Sequence, residues 1–130
     1  MRQFALFCVS GVIATAIDAG LTQAWVSLAG LDPWSARALA VPAAMTATWL
    51  FNRSITFRAP ASDSLWREWM GYCLTQLSGL GLNLGLYALL VAISDTAARW
   101  PMLAVAVGSV AGLVANYAGA KHLAFAARGR

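Results

Sequence analysis

The stretch "LFNRSITFRAP", residues 50–60, closes a long apolar run and decides how the rest of the chain is interpreted. The stretch "AGAKHLAFAAR", residues 118–128, closes another apolar run 68 positions later. In both stretches a cation stands four residues before a phenylalanine, first Arg53 before Phe57 and then Lys121 before Phe125. The shared ending predicts two related halves, each closing where an apolar segment leaves the membrane.

The composition indicates a membrane protein. Charged residues make up 11% of the 130-residue chain, against about 25% in soluble domains, and 60% of the residues are apolar. The mean hydropathy is +0.66. The net charge of +4 does not predict a nucleic-acid partner, because the cations stand at the ends of apolar runs and no nucleic-acid-binding motif accompanies them. We expect a single transmembrane domain over residues 1–130, with repeat halves 1–60 and 64–130.

Four apolar runs predict four transmembrane helices in an all-α membrane protein. A helix needs about 20 apolar residues to cross the hydrocarbon core, and each run reaches or approaches that length. The first run also resembles a cleaved signal peptide, but the repeat requires this helix, so we expect it to remain in the protein. The four runs cover residues 4–31, 34–51, 69–94 and 101–120.

Local signals separate the runs. Residues 30–33, "GLDP", predict a turn, and Pro33 suits the first position of a helix. Residues 59–64, "APASDS", form a polar linker, and we expect only this middle loop to be long enough to hold an extra turn at the interface. The candidates for capping the next helix are Ser62, Asp63 and Ser64.

The cations predict the orientation. Seven cations fall on one side of the four spans, and only Arg37 and Arg99 fall on the other. The positive-inside rule therefore places both termini and the middle loop in the cytoplasm, with Trp34 and Trp100 at the outer interface. The inner interface is marked by Trp66 and Trp69. The seven inner cations are Arg2, Arg53, Arg58, Arg67, Lys121, Arg128 and Arg130.

An internal repeat relates the halves. A shift of 65 positions aligns the first and third runs, and a shift of 68 aligns the second and fourth. Each half holds two helices, so both halves enter the membrane in the same direction, as in transporters with parallel repeats. The aligned pairs include Phe7 with Tyr72, Cys8 with Cys73, Asp18 with Asn83, Pro33 with Pro101, and Phe57 with Phe125.

Small residues recur at every fourth position of the second and fourth runs. This spacing lets helix backbones approach closely, so we expect packing seams, one of which is alternatively a homodimer contact. The two seams comprise Ala36, Ala40, Ala44 and Thr48, and Ala104, Gly108, Gly112 and Asn116.

Polar side chains recur at membrane depth in the first and third runs. Asp18 lies near the middle of the first run, where a carboxylate costs about 3 kcal/mol, so we expect it to face a partner or a wet cavity. Two stripes of equal depth predict a polar pocket shared by the halves that binds the hydroxyls of a sugar. The alternative is that Asp18 only fixes helix packing. The predicted pocket residues are Asp18, Asn83, Thr15, Thr22, Gln76 and Tyr87.

Arg53 and Lys121 predict a phosphate site at the cytoplasmic headgroups, where the second and fourth helices leave the membrane. The alternative is plain positive-inside anchoring. The sequence contains no catalytic constellation, no metal-ligand spacing and no phosphate loop. We therefore expect a protein that is not an enzyme and that uses neither a metal nor a cofactor.

Two segments carry a family resemblance. "FALFCVSGVIATAIDAGL", residues 4–21, together with "TWLFNRSITFR", residues 48–58, resembles the GtrA-like family of small bacterial membrane proteins. The family ends its second and fourth helices with Asn-x-x-x-Asn-Arg and an aromatic residue. The first copy here has Thr48, Asn52, Arg53 and Phe57, and the second has Asn116, Ala120, Lys121 and Phe125.

The resemblance implies a function in cell-surface polysaccharide synthesis. A protein of this kind would flip a polyprenyl-phosphate-linked sugar across the bacterial cytoplasmic membrane as a multi-pass protein. It implies further that Asn52 and Asn116 join the two cations in the phosphate site. The expected partners are the sugar lipid, the membrane, a second copy of the chain and a membrane glycosyltransferase.

Two other functions stay open at this point. Small multidrug exporters also have four short helices and a membrane carboxylate in the first, although the strong cation bias disfavours their dual orientation. A non-transporting protein that recruits a glycosyltransferase is the other alternative, and nothing in the sequence excludes it.

Overall fold

The computed structural model describes residues 1–99 and 101–126, and this part of the chain forms helices, turns and connecting segments without a strand. The expected all-helical class is confirmed. Trp100, Arg128 and Arg130 lie outside the described residues, as do the side chains of Trp34 and Arg37. The elements are α1 (Arg2–Ala29), α2 (Pro33–Phe51), a first π turn (Asn52–Thr56), α3 (Leu65–Ile93), α4 (Asp95–Arg99), α5 (Pro101–Gly119) and a second π turn (Ala120–Ala124).

The predicted helix boundaries follow from local chemistry. α1 ends because Gly30 takes the left-handed conformation, with φ 66° and ψ 20°. α2 begins at Pro33, and the Asp32 carboxylate accepts a hydrogen bond from the Ser35 N–H at 3.1 Å. Ser64 caps α3, since its Oγ accepts from the Arg67 N–H at 3.3 Å. The turn at residues 30–33 and the cap in the middle linker are therefore confirmed.

The expectation that only the middle loop is long enough to hold an extra turn is wrong. Residues 59–64 are not helical, whereas the loop between the third and fourth apolar runs contains the short helix α4. Ser94 Oγ accepts from the Ala97 N–H at 3.3 Å and so caps this helix. Asp95 in its first turn and Arg99 in its last complement the helix dipole, which explains why so short a segment becomes helical.

The chain separates into two compact units, Met1–Pro60 and Ala61–Arg130, and their boundary lies in the predicted linker. In the first unit α2 packs against α1. Ala36 and Ala40 are fully buried, and Ala44 and Thr48 are nearly so. The small-residue stripe of α2 is therefore a packing seam, as expected. That the units form one domain stays a prediction.

In the second unit α5 packs against α3 through its own small residues. A Cβ placed on Gly112 would lie 2.7 Å from the Gly79 carbonyl oxygen, and one placed on Gly108 would lie 2.6 Å from that of Asn83. Distances this short show that the two backbones touch, which only glycine permits. The second predicted seam is thus confirmed as well.

The same contacts recur in both units. The Phe7 and Phe57 rings lie 6.2 Å apart, and the aligned Tyr72 and Phe125 rings lie 5.7 Å apart. α2 and α5 each continue into a five-residue π turn, and the two turns occupy aligned positions. The internal repeat inferred from the sequence is therefore also a repeat of tertiary contacts.

Apolar side chains cover the outside of the helices. In α3 four leucines at intervals of three or four residues are each more than half exposed. Among the described residues, Arg2–Ala29 and Leu65–Ile93 are helices long and apolar enough to cross a membrane. Such surfaces are suited to lipid rather than water. The four leucines are Leu74, Leu77, Leu80 and Leu84.

Candidate functional site

The first π turn fixes the backbone around Arg53. The Phe57 N–H donates to the Asn52 carbonyl at 2.8 Å, and the Ala59 N–H donates to the Arg53 carbonyl at 2.8 Å. Arg58, which follows, takes a positive φ of 48° and turns the chain away from the helix axis. The π turn therefore ends the helix, and the carbonyls of Arg53 and of the residue before it both accept main-chain hydrogen bonds.

The Arg53 side chain is directed by the linker. Its Nη2 donates to the Pro60 carbonyl at 3.2 Å, and the residue is half-buried. A guanidinium carries its five N–H donors in a planar fork, so this bond limits the directions in which the fork points.

Asn52 lies inside the first unit rather than on its surface. Its side chain is 0% exposed, and Nδ2 donates to Ser10 Oγ of α1 at 2.9 Å. The Ser10 hydroxyl donates in turn to the Phe7 carbonyl at 2.7 Å. The amide thus joins the π turn to α1, and the implied contact between Asn52 and phosphate stays a prediction.

The second π turn has the same shape but a different interior. The Phe125 N–H donates to the Ala120 carbonyl at 2.9 Å, as in the first turn. The buried positions hold Ala120 and Ala124 where the first turn has Asn52 and Thr56. This turn is therefore packed by apolar contacts, without a buried amide.

Lys121 is exposed at the end of α5. Its Nζ lies 5.9 Å from the centre of the Tyr117 ring, within the range of a cation–π interaction. The side chain is exposed, so its ammonium group can reach a phosphate at a headgroup surface. Asn116, which we expected beside it, instead lies against Gly79, and its buried Oδ1 has no hydrogen-bond partner in the described part of the chain.

The polar stripe of α1 forms as predicted on one helix face. Thr22 Oγ1 donates to Asp18 Oδ1 at 3.4 Å, and Thr15 Oγ1 donates to the Gly11 carbonyl at 3.1 Å. Asp18 and Thr22 are half-buried, whereas Thr15 is exposed. The structure therefore brings Asp18 and Thr22 together, whereas Thr15 bonds to the Gly11 carbonyl. Both contacts lie within α1.

The stripe of α3 is used partly for packing. Asn83 Nδ2 donates to Ser109 Oγ of α5 at 3.2 Å. Gln76 and Tyr87 are half-buried, and Gln76 Nε2 is buried without a hydrogen-bond partner among the described residues. Each of these contacts lies within one unit, so the pocket shared by the halves stays a prediction.

Sequence reasoning missed four buried polar residues. Ser10 is 2% exposed, Thr56 is 3% exposed, Glu68 is 6% exposed and Thr75 is 7% exposed. Only Glu68 has a local signal, because an acid in the first turn of α3 suits the helix dipole. Ser10 is recognised only through Asn52, 42 positions later, which no local pattern reveals. The described residues contain no group of three side chains able to hold a metal ion.

Comparison with known proteins supplies a family. The sequence profile described as "GtrA/DPMS, transmembrane domain" matches residues 6–126 and thus spans both units. No curated protein matches the chain.

Proposed function

The chain belongs to the GtrA/DPMS transmembrane-domain family, and from this premise we propose that it flips a polyprenyl-phosphate-linked sugar across the membrane. The family is linked to the flipping or transport of glycan precursors, and the protein is a membrane protein. We place it as a multi-pass protein in the bacterial cytoplasmic membrane, without enzymatic activity, where it serves cell-surface polysaccharide synthesis.

The observation that carries the proposal is the position of Arg53. It stands in a π turn that directly continues the apolar helix α2, with its main chain and its side chain both held. Such turns are rare and are often found at functional sites. A held guanidinium at the end of a membrane helix binds a phosphate at low entropic cost, because its fork is already oriented.

The sugar moiety requires a polar route through the apolar region. Asp18 with Thr22 offers acceptors in the first unit. In the second unit Gln76 Nε2 and Asn116 Oδ1 are a buried donor and a buried acceptor without partners in the described residues. Sugar hydroxyls both donate and accept, so groups of this kind satisfy them where water is scarce.

We propose a homodimer as the working form, with a membrane glycosyltransferase as a second partner. Four helices enclose little volume for a sugar lipid, so a second copy of the chain or a partner enzyme would complete the route.

We propose that α2 and α5 serve as spans together with α1 and α3. Each has 19 residues, which corresponds to about 28 Å of helix and nearly matches the hydrocarbon core.

Transport in proteoliposomes tests the proposal. The purified protein is reconstituted with a fluorescent polyprenyl-phosphate-linked sugar, and the lipid that reaches the opposite leaflet is measured. We expect Arg53→Ala to lower the rate about tenfold or more, because a charge-assisted hydrogen bond to phosphate is lost. Arg58→Gly is the matched control: it removes a nearby cation, and glycine accepts the positive φ at this position.

Asp18 separates the transport role from a packing role. Asp18→Asn keeps an acceptor for Thr22 but removes the charge, whereas Asp18→Ala removes both. Loss of transport in both variants, with the protein still folded, supports a functional carboxylate. Full activity in Asp18→Ala and in Arg53→Ala would contradict the proposed mechanism, and proton-driven efflux of cationic dyes would favour the exporter instead.

Recruitment of a glycosyltransferase is the second candidate function. The family description names a transmembrane domain, which is a part that other domains can be joined to. A recruiter would keep its cellular function in Asp18→Ala and lose it when Arg58 or residues 59–64 are changed. Measuring surface polysaccharide in cells that carry these variants distinguishes the two functions.

A further inference from the structure

The two π turns have the same backbone but differ in their buried side chains. The first has Asn52 at 0% exposure and Thr56 at 3%, and the second has alanine at both aligned positions. Burying a polar group without need is costly, so the polar interior of the first turn calls for a function that the second turn lacks. The polar interior belongs to the turn that carries Arg53, and the apolar interior belongs to the turn that carries Lys121.

A chain of two hydrogen bonds joins the first turn to α1. Asn52 Nδ2 donates to Ser10 Oγ at 2.9 Å, and Ser10 Oγ donates to the Phe7 carbonyl at 2.7 Å. The hydroxyl is thus used once as an acceptor and once as a donor, and its direction is determined by both partners. The ring of Phe57, which follows the same turn, lies 6.2 Å from the Phe7 ring of α1.

The second unit preserves only half of this chain. Thr75, aligned with Ser10, donates to the Tyr72 carbonyl at 2.7 Å, as Ser10 does to that of Phe7. The side chain of Ala120, aligned with Asn52, offers no amide to meet it. Lys121 in that turn is exposed and lies near the Tyr117 ring. The second turn therefore lacks the amide that joins the first turn to its neighbouring helix.

We propose that the Ser10–Asn52 hydrogen bond positions Arg53 for the lipid phosphate, so that the first half of the protein is the phosphate-binding half. This inference rests on the proposed function and adds that the duplicated halves are unequal. Asn52 precedes Arg53 directly, so a shift of the Asn52 side chain rotates the π turn and moves the guanidinium. In this proposal Ser10 and Asn52 are positioning residues that act through Arg53, because both are buried.

The test is a binding titration with the full-length protein in detergent micelles. The probe is a short-chain polyprenyl phosphate, and phosphatidylglycerol and inorganic phosphate are titrated in parallel. We expect Ser10→Ala and Asn52→Ala each to weaken binding of the polyprenyl phosphate about fivefold, the fold-change that corresponds to one lost neutral hydrogen bond. The double variant should be no weaker than either single one, because both remove the same bond.

Two further variants separate positioning from general stability. Thr75→Ala removes the aligned hydroxyl of the second unit, so it should lower thermal stability as Ser10→Ala does but leave the affinity unchanged. In an Arg53→Ala background Ser10→Ala should have no additional effect on affinity. If Ser10→Ala does not fold, Asn52→Ala serves in its place, because it leaves the bond between Ser10 and the Phe7 carbonyl intact.

The outcomes distinguish this inference from the proposed function. If the wild type does not bind the polyprenyl phosphate, both are overturned. If the wild type binds and Arg53→Ala does not, but Ser10→Ala and Asn52→Ala keep full affinity, only the inference is overturned. An equal loss of affinity in Thr75→Ala also overturns it. Equal affinity for phosphatidylglycerol, with the same pattern of variants, supports the positioning and contradicts selectivity for the polyprenyl lipid.

Discussion

Single residues determine how closely the helices of the second unit approach. A Cβ on Gly79 would overlap the Asn116 side-chain amide and lie 2.7 Å from the Gly112 carbonyl oxygen. Neither neighbour can move away easily, because one is backbone and the other is packed between two helices. Gly79 is therefore required by space, while other glycines of the same helix are not.

Gly79→Ala should destabilise the protein by about 1–3 kcal/mol, since the added methyl forces α3 and α5 apart. Gly81→Ala is the matched control, because a Cβ there meets no atom within 4 Å. The control should be neutral or gain up to about 1 kcal/mol from the better helix propensity of alanine. Thermal unfolding in detergent measures both variants, and equal stability of the two would contradict the close approach.

At the scale of elements, the π turns explain why each half ends as it does. Lengthening the hydrogen bond from four to five residues shifts the side chains that follow, which brings Phe57 onto Phe7 and Phe125 onto Tyr72. The aromatic residue four places after each cation is thus a packing residue of its own half. Sequence spacing identified the pair of endings but not the helix type, because the choice between two carbonyl partners depends on the tertiary contacts.

The polar interior of the first turn makes a prediction of its own. Thr56 Oγ1 is buried and has no hydrogen-bond partner in the described residues. Thr56→Val replaces the hydroxyl with a methyl of similar size, so it should stabilise the protein by about 1 kcal/mol. Thermal unfolding tests the variant, with Thr46→Val as control, because the half-buried Thr46 hydroxyl does have a partner and donates to the Pro42 carbonyl at 2.8 Å. A clear loss of stability in Thr56→Val alone would indicate that the buried hydroxyl has a partner.

At the scale of the whole molecule, the cations predict how the spans are arranged in the membrane. Two of the described loops serve to test this arrangement. Residues 30–32 join α1 to α2, and residues 57–64 join the first π turn to α3. A parallel repeat with seven cations on one side would place these two loops on opposite sides of the membrane. Dual orientation, as in small multidrug exporters, would place each loop on both sides.

Cysteine labelling tests this topology. Cys8 and Cys73 are free and are first replaced by serine, after which a single cysteine is introduced as Asp32→Cys or Asp63→Cys. A membrane-impermeant maleimide should label Asp32→Cys in intact cells and Asp63→Cys only after permeabilisation. Labelling of both variants in intact cells would contradict the single orientation.

Several features could be predicted from the sequence because they depend on neighbouring residues. Hydropathy revealed the apolar helices, Gly30 and Pro33 marked a turn, and Ser64 marked a cap. The repeat was also visible, because both halves keep aromatic and small residues at aligned positions. The short helix α4 was missed, although Ser94 and Asp95 carried its signals, because its five residues are too few for a periodic pattern.

The sequence by itself determined the membrane class, the long apolar helices and the cations that end α2 and α5, since these depend on composition and short spacing. Only the tertiary structure decided what the polar residues contact. It directed Asn52 inward to Ser10, paired Asn83 with Ser109 and placed Asn116 against Gly79. An amide in a helix has the same sequence pattern whether it faces a ligand or a neighbouring helix. The packing of the helices selects between these alternatives, because a buried amide bonds with whichever partner lies within about 3 Å.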